Sequence, residues 1–365
     1  MILVVTKPFP TRYAQWHIEE MKSFIKDRGA DVLSLDASEE YSTSRMRKCY
    51  GLEDYNILIF EDRYANWNVY NKGFDGRLIG KHFGSILFTK QTTFDVSKYD
   101  AVYHIFWTRY KAFNDKYRFP QERQFIRNYP GNHPKGENQT LFNKKVHIIT
   151  TQRFITEELQ SKGYKKIREI LGLPLLQKGD TYVPRQVNNG KLRIVFASWG
   201  KEEFKGTGIF MKTAERYKKN FPLDDIEFIG VGRVSPTPYI TKLPYIPMEK
   251  LKEIYETTDI YVNPETGRSV GGWPLGSEAM LKGNVLITTD IRKQAQYFPF
   301  SNDVFIIEKD DVEAIVHHIK KLYDDRNLLN KMSNEIQRKT NEFHSYENQQ
   351  QKVFDYIDEV LGKNV

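Results

Sequence analysis

Lys205-Gly206 stands at the head of KGTGIFMKTAERYKKN, just after the strand-like run KLRIVFAS. A lysine beside a helix start, at the carboxyl end of a strand, suits a phosphate oxygen, because the first-turn N–H groups and the ammonium attract the same charge. Further along, GGWPLGSEAMLKGNVLITTD (271–290) opens on Gly271 and Gly272 and runs through Trp273, Pro274, Leu275 and Gly276 to Glu278, inside a predicted helix. Small residues let backbone N–H groups reach a diphosphate without Cβ clashes. A carboxylate beside such a site repels phosphate unless it faces hydroxyls. A ribose 2′,3′-diol fits, since an ionised Glu accepts from both hydroxyls. A lysine, a small-residue loop and one Glu together suggest a nucleoside diphosphate.

Other residues could join them. Lys201 and Arg233 are further cations on the loops after successive strands, and the loop before the glycine pair holds Glu265 and Arg268. Gly230 and Gly232 end a buried strand, where glycine either lets a ligand approach the backbone or makes a turn. They lack the third glycine of a dinucleotide fingerprint, and no Walker-A pattern occurs. Tyr245 and Ile246, in LPYIPMEKL, lie on extended backbone that could read a base edge or simply lead into a helix. His104 ends YDAVYH as a site group or a hydrogen-bonded core histidine.

Positioning these residues needs repeated strand-then-helix units. MILVVTK, ADVLSLD, YNILIFED, GSILFTK, YDAVYHIFW and KVHIITT read as strands in the first half, with FITEELQSKG as a helix. After a polar stretch, 176–190, the alternation restarts with KLRIVFAS, IEFIGVG, DIYVNP and NVLITTD as strands and helices between them. Such alternation predicts an α/β fold with mostly parallel sheets. We expect two Rossmann-like doubly wound domains facing each other across a cleft: 1–175, a linker at 176–190, and 191–345. The last helix, about 348–363, packs back on the first domain. The cleft at the strands' carboxyl ends is the default ligand site.

Composition narrows the partners. The chain has 365 residues and one cysteine, Cys49, which excludes a disulfide framework and a cysteine-built metal cluster within it. That suits a cytoplasmic protein. No apolar run reaches the roughly 20 residues that span a bilayer. A formal charge of +8 suggests an anionic partner, either an anionic membrane surface holding a lipid-linked acceptor or the charge of the ligand itself; plain solubility is the other reading. No zinc-finger or RRM-type pattern points to nucleic acid. No D-x-D sits at a strand end, so no metal is indicated.

Strand, loop, G-x-P-L-x-x-E-A-M, x-x-G and an apolar strand ending T-T-D closely resemble the donor-binding segment of GT-B glycosyltransferases, specifically the retaining family 4 class (glycosyltransferases group 1). The resemblance covers the C-terminal half, including Lys205-Gly206, Gly230-Val231-Gly232 and TTDIYVNP (257–264); the N-terminal half matches in layout only. It implies a hexosyltransferase-type enzyme that moves a sugar from a nucleoside-diphosphate sugar, UDP or GDP, to a glycan, glycolipid or other hydroxyl acceptor, in surface polysaccharide or glycoconjugate synthesis. It implies retention at the anomeric carbon, with the leaving phosphate helping to deprotonate the acceptor. Lys205 would neutralise the diphosphate, with Lys201 or Arg233 beside it. Glu278 would bind the ribose, the Gly271–Gly276 backbone would meet the phosphates and donor sugar, residues near Tyr245-Ile246 would read the base, and His104 would lie near the transferred sugar. The chain departs from the family in three places: Val270 stands where the first of two glutamates is usual, with Glu265 upstream; Lys201 is the nearest cation where the family has an Arg before the Lys; and KPFPTRYAQWH (7–17) replaces the usual glycine pair after the first strand. The missing first glutamate keeps open a non-catalytic GT-B-like binding subunit, and a GT-B sugar-nucleotide epimerase is a third reading.

Overall fold

The computed structural model describes residues 1–6, 19–20, 23–24, 27–34, 96–105, 110, 113–114, 117–128, 145–176, 178–180, 182–185, 190–198, 205–244, 246, 248–266, 274–290, 299 and 301–363. The chain divides into two units, Met1–Asp180 with His344–Val365, and Thr181–Phe343.

Among the described residues the first unit holds an all-parallel six-stranded sheet: β1 (Ile2–Thr6), β2 (Asp31–Ser34), β3 (Ala101–His104), β4 (Gln124–Asn128), β5 (His147–Thr150) and β6 (Ile167–Glu169), in the order β2-β1-β3-β4-β5-β6. Its central strands β3, β4 and β5 are buried on both faces because both faces are covered. One face carries Leu3, Val5 and Val102, packed with Phe113, Tyr117 and Phe119. Further across it, Ile126 and Ile148 pack with helix α1 (Arg153–Ser161) through Ile155 and Leu159. The other face takes the helical residue Phe24, whose ring lies 4.3 Å from that of Tyr103. The C-terminal residues join the same face. There the Phe125 ring stands edge-on to Tyr356 at 5.9 Å, and His147 Nδ1 hydrogen-bonds the Tyr356 hydroxyl at 2.8 Å.

The second unit holds another all-parallel sheet: β7 (Leu192–Ser198), β8 (Ile226–Gly232), β9 (Thr241–Leu243), β10 (Ile260–Asn263), β11 (Val285–Thr289) and β12 (Phe305–Ile307). The spatial order is β12-β11-β10-β7-β8-β9. Counted within the unit, that is the 3-2-1-4-5-6 order of a dinucleotide-binding Rossmann sheet, and the order reverses between β7 and β10. On one face Phe196, Phe228, Val262 and Ile287 pack against α2 (Thr207–Asn220). α2 turns Phe210, Ala214 and Tyr217 inward, and Phe196 and Phe210 stack at 5.0 Å.

Further helices are α3 (Met248–Thr257), α4 (Pro274–Met280), α5 (Val312–Asp324), α6 (Arg326–Phe343) and α7 (Lys352–Val360). α5 joins α2 on the same core through Ile315, Ile319 and Leu322. Its N-cap Asp311 accepts from Ala314 N at 2.9 Å, satisfying one orphan donor of the first turn. α7 belongs to the first unit, where Val353, Phe354 and Ile357 are buried. Arg185, within the stretch read as a linker, is tied to the second unit instead. It pairs with Asp259 at 2.8 Å, and its backbone N–H donates to Gln337 Oε1 at 2.9 Å. Among the described residues, no helix is long and apolar enough to cross a membrane.

Candidate active site

Two loops leave the second sheet at its reversal point, one after β7 and one after β10. They meet at Gly206 and Pro264. Gly206 is the N-cap of α2, with φ +72°. A Cβ built on it would fall 1.8 Å from the Pro264 carbonyl oxygen. Only glycine permits both the left-handed conformation and this approach. The contact sets Lys205 directly against Glu265, and the two form a salt bridge. Glu265 is 3% exposed.

The β11 threonines fasten the same loop. Thr289 Oγ1 donates to the Glu265 carbonyl at 2.8 Å, and Thr288 Oγ1 donates to the Asn263 carbonyl at 3.0 Å. Thus the T-T of the T-T-D run holds the loop after β10 in place. Arg233 enters from the third side. Gly232, φ +86°, makes the turn after β8, and Arg233 N donates to Ser198 O at 3.1 Å, bringing an exposed guanidinium-bearing residue to the end of β7. Thr207 Oγ1, at the start of α2, donates to Arg233 O at 3.4 Å. Cations and an uncapped helix start therefore share the carboxyl edge of β7.

Gly230 has another explanation. A Cβ there would come within 2.9 Å of Val234 Cγ1 and 3.1 Å of Ile240. It is required by core packing, and only its neighbour Gly232 makes the turn.

Glu278, on α4, is 3% exposed, and neither carboxylate oxygen has a hydrogen-bond partner among the described residues. Burial pushes its pKa up to about 8, opposed only by Lys252. Tyr261, behind it on β10, is fully buried. Its pKa is raised first by burial and then by Glu265 and Glu278, which places both carboxylates within electrostatic reach of one phenol. A buried carboxylate with both oxygens unmet is costly. It is also the group best suited to a pair of hydroxyl donors.

Of the other sequence-predicted residues, Leu275 and Gly276 are helical in α4, Pro274 starts that helix, and Ile246 is partly buried just before α3. Lys201, Tyr245, Arg268, Gly271, Gly272 and Trp273 lie outside the described residues, as does Val270. Among the described residues, no cluster of His, Cys, Asp and Glu could hold a metal ion.

His104 belongs to the first unit, at the end of β3 beside β1, where that sheet's order reverses. It is fully buried, and its ring stands edge-on to Tyr110 and Phe113 at 5.5 and 5.3 Å. Its Nε2 lies 2.9 Å from Gln124 Oε1. Gln124 Nε2 is spent on Asn114 Oδ1 and Phe119 O, so Gln124 offers His104 an acceptor, and Nε2 carries the imidazole proton. Nδ1 is then an unprotonated acceptor with no hydrogen bond among the described residues. Burial lowers the His104 pKa to about 4, so the ring is neutral at pH 7.

The two parallel-sheet α/β units define the GT-B architecture. The structure of S. aureus TarM in complex with fondaparinux, alpha-GlcNAc-glycerol and UDP aligns over 98% of this chain and 99% of its own, with TM-score 0.65 and 10% identity. Anabaena HepE in complex with UDP and glucose aligns over 98% and 100%, with TM-score 0.67 and 10% identity. Sucrose-phosphate synthase from Thermosynechococcus elongatus aligns over 100% of both chains, with TM-score 0.61 and 9% identity. At such identities the likeness is one of fold. No protein-family model and no curated protein matches the sequence.

Proposed function

We propose that the protein is a glycosyltransferase that moves a sugar from a nucleoside-diphosphate sugar, UDP-linked in the first instance, to a hydroxyl acceptor. The observation that carries the reading is Glu278, a fully buried carboxylate with both oxygens unmet, on the helix that follows the Lys205–Glu265 loop pair. The ribose diol donates to Glu278, and Lys205, Arg233 and the start of α2 receive the diphosphate. The UDP complexes of TarM and HepE, which share the fold, support the choice of nucleotide.

In this reading the bond from the anomeric carbon to the diphosphate oxygen breaks, and a bond to the acceptor oxygen forms. Lys205 stabilises the charge that grows on the leaving diphosphate, the kind of preorganised interaction whose removal costs about 2.7–4 kcal/mol of barrier. The acceptor proton passes to a leaving phosphate oxygen, so no protein nucleophile is assigned, the configuration is retained and no metal is required. Glu265 would lie near the transferred sugar. Surface polysaccharide or glycoconjugate synthesis is the process that fits such a reaction, and the basic surface would dock peripherally on an anionic membrane where the acceptor is lipid-linked.

The test is a thermal-shift panel of UDP, GDP, ADP and CMP, followed by measurement of nucleotide release from the matching sugar donors. A nucleotide that binds only the folded state raises the melting temperature. Stabilisation by UDP with release of UDP from a UDP-sugar is the expected result. Absence of any nucleotide effect would sink the reading. Binding without turnover would make the protein a binding subunit, and interconversion of free donor sugars would make it an epimerase.

A further inference from the structure

Two buried polar side chains of the second unit have unmet oxygens and sit on adjoining helices. One is Glu278 on α4. The other is Tyr255 on α3, whose hydroxyl has no hydrogen-bond partner among the described residues. α3 packs on α4, and α4 packs on β10. The Tyr255 ring stands edge-on to the Tyr261 ring of β10, with centroids 5.8 Å apart. Ionisation of Tyr255 is opposed first by burial, then by Tyr261 and Glu278, so its phenol lies within electrostatic reach of the Glu278 carboxylate.

The backbone beneath Tyr255 is fixed. Asn284 Nδ2 donates to the Tyr255 carbonyl at 2.6 Å, and Thr258 Oγ1 donates to Asn284 Oδ1 at 2.7 Å. α3 ends just before β10, at the amino ends of the parallel strands, and helical side chains tilt toward the helix start. The Tyr255 ring therefore leans toward the carboxyl edge of the sheet, the edge that carries Lys205 and Glu265. The titratable groups around Glu278 are Lys252 and Tyr255 from α3 and Tyr261 from β10, with Glu265 just after that strand. The Tyr261 proton is committed, since its hydroxyl donates to the Ala197 carbonyl at 3.4 Å. A phenol has one proton to donate, and that of Tyr255 has no acceptor among the described residues.

A neutral carboxyl group asks little of such a donor. An ionised carboxylate accepts strongly, and a hydrogen bond to the charged form favours that form. We propose that the Tyr255 hydroxyl is the donor that Glu278 takes up when its own proton leaves for water, which makes Tyr255 the positioning residue of that carboxylate. The bond turns one carboxylate lone pair toward α3 and leaves the others for two ribose hydroxyls. The use made of the bond rests on the glycosyltransferase reading; the bond itself forms without nucleotide and can be tested without it.

The test is a carboxyl-carbon NMR titration of the nucleotide-free whole protein labelled at glutamate, with Glu278→Gln identifying the resonance, alongside calorimetry with UDP-glucose. Tyr255→Phe removes the hydroxyl and keeps the ring. We expect it to raise the Glu278 midpoint by about one pH unit, while Tyr261→Phe leaves the midpoint in place. UDP-glucose should bind Tyr255→Phe roughly tenfold more weakly at pH 8.5, with the deficit narrowing toward pH 5, where Glu278 is protonated. At pH 6 the variant should melt no lower than wild type, because the hydroxyl it loses is unmet there. A hydroxyl kept only for structure would instead lower the melting temperature and leave the Glu278 midpoint unmoved. An unmoved midpoint overturns the bond, and a moved midpoint with unchanged UDP-glucose affinity overturns the positioning role. A moved midpoint in a protein that binds no nucleotide overturns the glycosyltransferase reading and leaves the bond standing.

Discussion

Gly206 lies against the Pro264 carbonyl so closely that a Cβ would fall 1.8 Å from its oxygen. This one approach brings the loops after β7 and β10 together and pairs Lys205 with Glu265. Gly206→Ala must adopt φ near +72° at a cost of about 1–2 kcal/mol and must also push the Pro264 backbone away. We expect a total loss on the order of 3 kcal/mol by urea unfolding, together with at least tenfold weaker UDP binding. Wild-type UDP affinity in the folded variant would separate the loop contact from the nucleotide site.

Gly230→Ala is the contrasting substitution. Its new methyl meets Val234 and Ile240 in the core, not the loops. Overpacking of this kind costs about 1–3 kcal/mol. UDP affinity at 20 °C, measured on the folded fraction, should be unchanged. A loss of affinity as large as that of Gly206→Ala would return Gly230 to the site.

Lys205 and Glu265 should separate by what each does to binding and to chemistry. On the proposed reading Lys205→Ala removes a cation that faces the diphosphate, and it is expected to lower transfer about 100–1000-fold. Glu265→Gln leaves Lys205 without its carboxylate partner. The lysine then meets the diphosphate with less competition, so UDP affinity should hold or rise while sugar transfer falls. Calorimetry and a coupled UDP-release assay read the two effects independently, and parallel losses of both in Glu265→Gln would contradict the assignment.

Strands with long apolar runs were legible in the sequence. β7, β8, β10 and β11 coincide with KLRIVFAS, IEFIGVG, DIYVNP and NVLITTD, because central parallel strands are buried on both faces and need no alternation. β4, β6, β9 and β12 gave no such signal. β4, QFIRN, mixes Gln124, Arg127 and Asn128 into its buried positions, and the other three are only three residues long. α6 was equally quiet, since it buries Ser333, Gln337 and Thr340 beside Leu329 and Ile336, so its inward face is polar by type. In the site, Lys205, Gly206 and Glu278 could be chosen from residue type and position along the chain. The ion pair to Glu265 could not, because it depends on two loops 60 residues apart meeting at a glycine.

Glu278 supplies the last expected outcome, through pH. Its pKa in the folded protein, about 8, lies above the ordinary 4.5, because burial penalises the carboxylate. The folded state then holds a proton that the unfolded state has released, so this group's contribution to stability falls as pH rises from about 4.5 to about 8. Glu278→Gln removes the penalty. Its melting temperature should exceed that of wild type at pH 8.5 and converge with it near pH 4.5. Function should move the other way. A ribose diol that donates to the carboxylate favours its ionised form, so UDP-glucose, whose diphosphate does not titrate in this range, should bind wild type more tightly at pH 8.5 than at pH 6. Glu278→Gln should bind it at least tenfold more weakly at pH 8.5 and lose the pH dependence. A variant with the wild-type affinity and the wild-type pH profile would remove Glu278 from the nucleotide site.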